Sequence, residues 1–139
     1  MIIQTVLVID DLRSIDYCFS LNKVKRTDNM DVHLVLDAQS AISKFVDLCN
    51  SSKKIDIIML DHDLGETTII DFLNYLIFES VICENKIKDS ISNCVFYLHT
   101  SNYSSRGNMI SKIKAICLGY DIKGCVIRQD DLTLPPICL

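Results

Sequence analysis

The apolar residues of the chain recur with two different periods. Thr5 to Ile9 (T-V-L-V-I) is a short, nearly continuous apolar run rich in β-branched side chains. A run with no polar face to leave in water predicts a strand buried on both sides. Ile55–Leu60 (I-D-I-I-M-L) and Cys94–Leu98 (C-V-F-Y-L) read the same way, Val32–Leu36 is a further candidate, and Gly124–Ile127 a weaker one. Between these runs the spacing becomes helical. Asp37 predicts an N-cap for a helix with Ala41, Ile42, Phe45, Val46 and Cys49 on one face. Thr67 or Thr68 predicts the cap of a longer helix through about Ile82. That third helix is apolar almost all round, so it needs a core, or a partner subunit as well, and a homodimer through it is an expectation. A fourth helix is predicted from about Asn108 to Leu118, closed by Gly119. Arg13–Arg26 reads as helix at its start and loop later. Pro135 and Pro136 predict an extended tail, with Ile137 and Leu139 packing back on the domain.

Strands alternating with crossover helices predict an α/β fold: an open, parallel five-stranded sheet with helices on both faces. At 139 residues, positions 1–139 read as one domain. An apolar fraction of 49% argues against disorder. The net charge of −4 means that the surface as a whole does not attract nucleic acid or acidic membrane, so any phosphate must be met locally. The most apolar stretch, Ile69–Cys83, is too short to span a membrane and is interrupted by Asp71, Asn74 and Glu79. Met1-Ile2-Ile3-Gln4 lacks the basic start of a signal peptide, which predicts a cytoplasmic protein. Seven scattered cysteines without a C-x-x-C predict reduced, buried thiols and no zinc site. Heavy use of Ile, Asn, Lys and Ser suits an AT-rich genome and is compatible with a phage.

In open parallel sheets, ligands bind beyond the carboxyl ends of the strands. The residues just past each strand are therefore informative. Asp10-Asp11-Leu12-Arg13 comes after the first, Asp61-His62-Asp63-Leu64-Gly65 after the third, and His99-Thr100-Ser101-Asn102 after the fourth, leading to Asn108-Met109 at a helix start. Asp10, Asp11 and Asp61 would converge if the first and third strands are neighbours. Like charges so close call for a cation or a raised pKa, and a hard divalent ion, magnesium most commonly, suits carboxylate oxygens. Asp63 either joins that shell or orients His62. His62 and His99 end different strands on one rim, where an imidazole pair can act as acid and base. Arg13 can clamp phosphate oxygens or pair with the neighbouring acids, and Thr100, Asn102 and Asn108 add neutral donors. His33, inside a predicted strand, reads as structural, and Lys23-Val24-Lys25-Arg26 as a solvated basic patch.

These residues resemble the receiver domain of response regulators (flavodoxin-like), with Asp10 and Asp11 at the acidic pair and Asp61 at the phosphate-accepting position. The resemblance is closer to a variant branch, the cyclic-phosphate-processing receiver domains. Those show D-D-x-R, D-H-D-x-G, and H-S-x-N with a downstream N-M; here the last reads His99-Thr100-Ser101-Asn102 with Asn108-Met109. Thr100 replaces the usual Ser, Tyr103 stands where Pro is common and Ser105 where Gly is common. In place of an ordinary receiver's Lys after the fifth strand, Gly124–Gln129 offers Arg128. The resemblance implies recognition or processing of a cyclic phosphate, on an RNA 2′,3′-cyclic end or a cyclic nucleotide. The expected function is metal-assisted processing, with His62, His99 and Asp61 catalytic, Arg13, Thr100, Asn102 and Asn108 on phosphate, and Asp10, Asp11, Asp61 and Asp63 on metal. Two rivals remain: a non-catalytic protein that sequesters a cyclic nucleotide, and a stand-alone phospho-accepting receiver.

Overall fold

Strand β1 (Gln4–Ile9) is flanked by parallel β2 (Met30–Val35) and β3 (Ile57–Leu60). The computed structural model describes residues 2–100, 102–131 and 133–139. A small hairpin of β4 (Asp63–Leu64) and β5 (Thr67–Thr68) stands outside the main sheet. Beyond β3 in the sheet come parallel β6 (Val95–Leu98) and β7 (Val126–Gln129), then the short antiparallel β8 (Ile137–Cys138). The sheet order is β2-β1-β3-β6-β7-β8. The five parallel strands are those predicted from the apolar runs. The sixth strand is new: the tail packs back by pairing its backbone with β7, so the sheet has six strands rather than five.

Helices α1 (Ile15–Leu21), α2 (Ala38–Asn50), α3 (Ile69–Asn74), α4 (Glu84–Ile91) and α5 (Arg106–Gly119) connect the strands. Ser14 caps α1, Asp37 caps α2 by accepting from the Ser40 N–H at 2.7 Å, and Thr68 caps α3. The predicted long third helix is shorter. After Asn74 it continues only as one π-helical turn, Tyr75–Glu79, and ends at Ser80. Helix α4 then follows, which the apolar spacing did not announce. Helix α5 starts at Arg106, two residues before the expected Asn108, because a 3₁₀ turn (Tyr103–Ser105) winds directly into it.

Strand alternation sorts the core into two layers. Leu7, Ile9, Ile58, Leu60, Phe96, Leu98 and Ile127 face α2, α3, α4 and α5. Val6, Val8, Ile57 and Met59 face Cys18 and Phe19 of α1. Helices do cover both faces, but among the described residues four crowd one side and only α1 serves the other. Phe45 and Phe72 meet edge to face at 5.7 Å in the larger layer, an arrangement aromatic quadrupoles favour. The apolar third helix is mostly spent on this core: Ile69, Phe72, Leu73 and Leu76 are buried, leaving Phe78 in solvent, as is Val81 just past its end. Cys18, Cys49, Cys94, Cys117 and Cys125 are free buried thiols, whereas Cys83 and Cys138 are exposed. Among the described residues, no helix is long and apolar enough to cross a membrane. His33 sits half-buried on β2 and pairs with Asp31 at 3.0 Å.

Candidate functional site

The residue just past each inner strand remains in the backbone ladder. Asp10 N–H donates to the Val35 carbonyl, Asp61 N–H to Ile9, His99 N–H to Leu60 and Asp130 N–H to Leu98, all at 3.1 Å. Asp10, Asp61, His99 and Asp130 therefore form one row across the carboxyl end of the sheet, roughly 4.8 Å apart strand to strand. By the period-2 alternation, Asp10 follows Val6 and Val8, Asp61 follows Ile57 and Met59, and His99 follows Tyr97. All three thus project to the face served by α1.

Asp10 is fully buried and collects five donors. Its Oδ1 accepts from the Leu12 N–H at 2.9 Å and the Arg13 N–H at 3.0 Å. Its Oδ2 accepts from Arg13 Nη1 at 3.1 Å, His99 Nε2 at 2.9 Å and the Cys18 thiol at 3.5 Å. Burial pushes its pKa up, but the bonds from His99, the two backbone N–H groups and Arg13 outweigh that, and the carboxyl lies well below its usual range. Asp61 is also buried, and Arg13 Nη1 reaches its Oδ2 at 3.3 Å. Here burial and the negative charge of Asp10 prevail over Arg13, and the pKa rises. The two neighbouring carboxyls are thus driven apart, as one ionised group makes the next harder to ionise.

One oxygen each of Asp10, Asp11 and Asp61 lie within 4.8 Å of one another. Asp11 Oδ1 is buried without a hydrogen-bond partner among the described residues. An orphaned carboxylate oxygen beside two others fits a hard cation, and these three residues would hold one. Arg13 now supplies positive charge to two of them. Asp10, Cys18 and His99 also cluster. Burial pushes the Cys18 thiol up to about 12, so it is protonated and serves as a donor to Asp10.

His62 is mostly buried, and its Nδ1–H donates to Asp63 Oδ1 at 2.8 Å. In the neutral ring that bond leaves Nε2 with the lone pair. Of the two roles expected for Asp63, orienting His62 is the one its geometry serves: its carboxylate is largely exposed and lies outside the three-carboxylate cluster. The loop is held by the pairing of β4 with β5, whose turn needs Gly65 at φ +70°.

Residues 5–115, which contain all three rim motifs, match the cyclic-phosphate processing receiver domain. The chain belongs to that family. The fold is also similar to the crystal structure of a two component response regulator from Cytophaga hutchinsonii, with a TM-score of 0.58 and 17% identity over 93% of this chain and 86% of that one. No curated protein matches the chain.

In this cyclic-phosphate processing receiver domain, His99 is the rim residue whose setting differs most from the expectation. Its side chain is fully buried. Asn22 Nδ2 donates to the Cys18 carbonyl at 2.9 Å, which fixes the orientation of the amide, and the same nitrogen faces His99 Nδ1 at 3.0 Å. Nδ1 must accept, so the proton is on Nε2, directed at Asp10. Both ring nitrogens are engaged and neither reaches solvent. Thr100 is buried too; its hydroxyl accepts from the Asn102 N–H at 3.0 Å and lies beside Asp61. Asn102 is half-buried and accepts from Ser104, and Asn108 is exposed on the first turn of α5. Ser101 lies outside the described residues.

The sequence reading gave no role to Arg106 and Asp130 of this domain. Arg106 is buried at the head of α5, donates to the Thr100 carbonyl at 2.8 Å, pairs with Asp130, and lies over the Tyr103 ring at 4.6 Å. Together they brace the fourth-strand loop against β7. The available signal was an arginine at a helix start just after a strand end.

Proposed function

We propose that this domain binds a cyclic phosphodiester at the sheet rim and opens the ring by hydrolysis. The observation that carries the reading is the orphaned Asp11 oxygen beside the Arg13-bridged pair Asp10 and Asp61: a site with a vacant ligand for a cation and a guanidinium free to exchange carboxylate for phosphate. Asp10, Asp11 and Asp61 would hold the divalent ion, and an all-carboxylate donor set favours Mg²⁺, which supplies charge neutralisation at the phosphoryl oxygens. Arg13, Asn102 and Asn108 take the phosphate oxygens, while Thr100 holds Asp61. His62 Nε2 accepts the proton of the attacking water as its oxygen bonds to phosphorus. The bond from phosphorus to one ribose oxygen breaks, and that oxygen takes a proton from water at the open rim. Asp63 keeps His62 in the tautomer this needs. His99 is a positioning residue that acts through Asp10.

The test is single-turnover hydrolysis of an RNA 2′,3′-cyclic end and of a cyclic dinucleotide, with and without Mg²⁺. The expected product is a phosphomonoester, and His62→Ala loses about a hundredfold or more in rate. If no preparation hydrolyses either substrate, the enzymatic reading fails. One observation favours a second reading: with His99 sealed, the rim lacks the acid–base pair of imidazoles, which suits a domain that sequesters a cyclic nucleotide. Recovery of intact ligand after denaturing a tight complex separates the two.

A further inference from the structure

Among the described residues only α1 covers its face of the sheet, and β6 and β7 extend beyond it. In register on that face stand Tyr97 and Arg128, directly across from one another. Among the described residues no helix lies over them. A groove of about 420 Å³ opens there, lined by Asn22, Lys23, Tyr97, Arg128, Leu134 and Pro136. It is within the roughly 300–1,000 Å³ of small-ligand sites.

Three features of the groove point to one class of ligand. Two cations line it together, Lys23 and Arg128, and among the described residues neither pairs with a carboxylate, so both are available to a ligand. In a chain of net charge −4, two unpaired cations in one concavity favour an anion. Between them Tyr97 offers an aromatic surface, half-buried and so rigidly placed. Finally, Asn22, 6% exposed and lining the groove, has an Oδ1 with no partner among the described residues, an acceptor left for a ligand donor. Asn22 also joins the groove to the rim, since its Nδ2 meets His99, which in turn holds Asp10.

We infer that this groove is a nucleotide subsite: a base stacks on Tyr97 and its phosphate lies between Lys23 and Arg128, adjoining the rim where the cyclic phosphate is held. Resting on the reading above, this makes the substrate at least a dinucleotide, with a second nucleotide beyond the reacting one. It excludes small cyclic phosphates without a base as the preferred ligands.

Titration calorimetry with two probes tests it: a dinucleotide ending in a 2′,3′-cyclic phosphate, and glycerol 1,2-cyclic phosphate, which has no base. The dinucleotide is expected to bind the wild type at least tenfold more tightly, as one stacked base requires. Arg128→Glu and Lys23→Glu, both at exposed positions, and Tyr97→Ala bring that ratio close to one. Arg13→Ala weakens both probes together and preserves the ratio. Equal affinity of the two probes, with Arg128→Glu and Lys23→Glu silent, overturns the subsite and leaves the rim reading standing. Dinucleotide binding that depends on Tyr97 and Arg128 but not on Arg13 overturns the rim reading and keeps the groove.

Discussion

Asp10 and Asp61 stand side by side on one row, yet the same substitution should move stability in opposite directions. In Asp10→Asn the amide presents one oxygen and one NH₂ to a site built of donors. If the NH₂ takes the place of Oδ1 it faces the N–H groups of Leu12 and Arg13; if it takes the place of Oδ2 it faces His99 Nε2–H, the Arg13 guanidinium and the Cys18 thiol. Either way at least two bonds to a buried charge are lost. At about 1.5–3 kcal/mol each, the expected destabilisation is about 3–6 kcal/mol, a large share of the ~5–15 kcal/mol typical of a domain. Asp61→Asn instead removes a charge that burial and Asp10 disfavour, and should stabilise by about 1 kcal/mol. The assay is urea unfolding in EDTA at neutral pH, read as a change of midpoint at constant slope. The two pH dependences have opposite signs. The folded-state pKa of Asp10 is depressed, so its contribution is present above the unfolded value of about 3.9 and is lost as pH falls through the folded value. The pKa of Asp61 is raised, so the gain from Asp61→Asn grows as pH rises from the unfolded to the folded value, and vanishes below the unfolded value, where the wild-type carboxyl is itself neutral. If Asp10→Asn proves no more harmful than Asp61→Asn, the donor cage drawn around Asp10 is wrong.

Arg13→Ala should tighten Mg²⁺ binding by roughly tenfold, because a competing cation leaves Asp10 and Asp61, while cyclic-phosphate affinity falls; calorimetry reads both. Asp63→Asn should slow turnover by about tenfold by loosening the hydrogen bond that sets the His62 tautomer, with little change in thermal stability because Asp63 is exposed. Gly124→Ala should cost about 1–2 kcal/mol in thermal unfolding. Gly124 sits at φ +79°, and an added Cβ would lie 1.9 Å from Asn93 Oδ1, so Asn93→Ala in the same background should recover the part due to the clash.

Strands β1 and β3 were legible because each is buried on both faces and carries a nearly unbroken apolar run; β2 and β7, interrupted by Asp31, His33, Arg128 and Gln129, gave weaker signals and their bounds shift by up to two residues. The caps at Asp37 and Thr68 were legible because a short polar side chain just before an apolar period has few other uses. Helix α4 was not: Ile87 and Ile91 are the only large apolar residues it buries, and Cys83 caps it with no side-chain bond. The π-helical turn was hidden because its five residues continue the apolar pattern of a regular helix. Asp10, Asp11 and Asp61 could be placed together from strand adjacency alone. The depth of His99 could not, because it depends on where α1 sets Cys18 and Asn22, and neither residue belongs to a rim motif. The open face over β6 and β7 was likewise invisible, since a missing layer leaves no mark on the strands that lack it.

The most direct test is the ³¹P spectrum of a 2′,3′-cyclic-phosphate dinucleotide mixed with excess protein and Mg²⁺. The account predicts that the cyclic-diester resonance broadens or shifts on binding and gives way to a phosphomonoester resonance, and that both changes are much reduced in the Arg13→Ala protein. A resonance that keeps its position, width and intensity in the presence of excess wild-type protein would contradict the rim as a phosphate site.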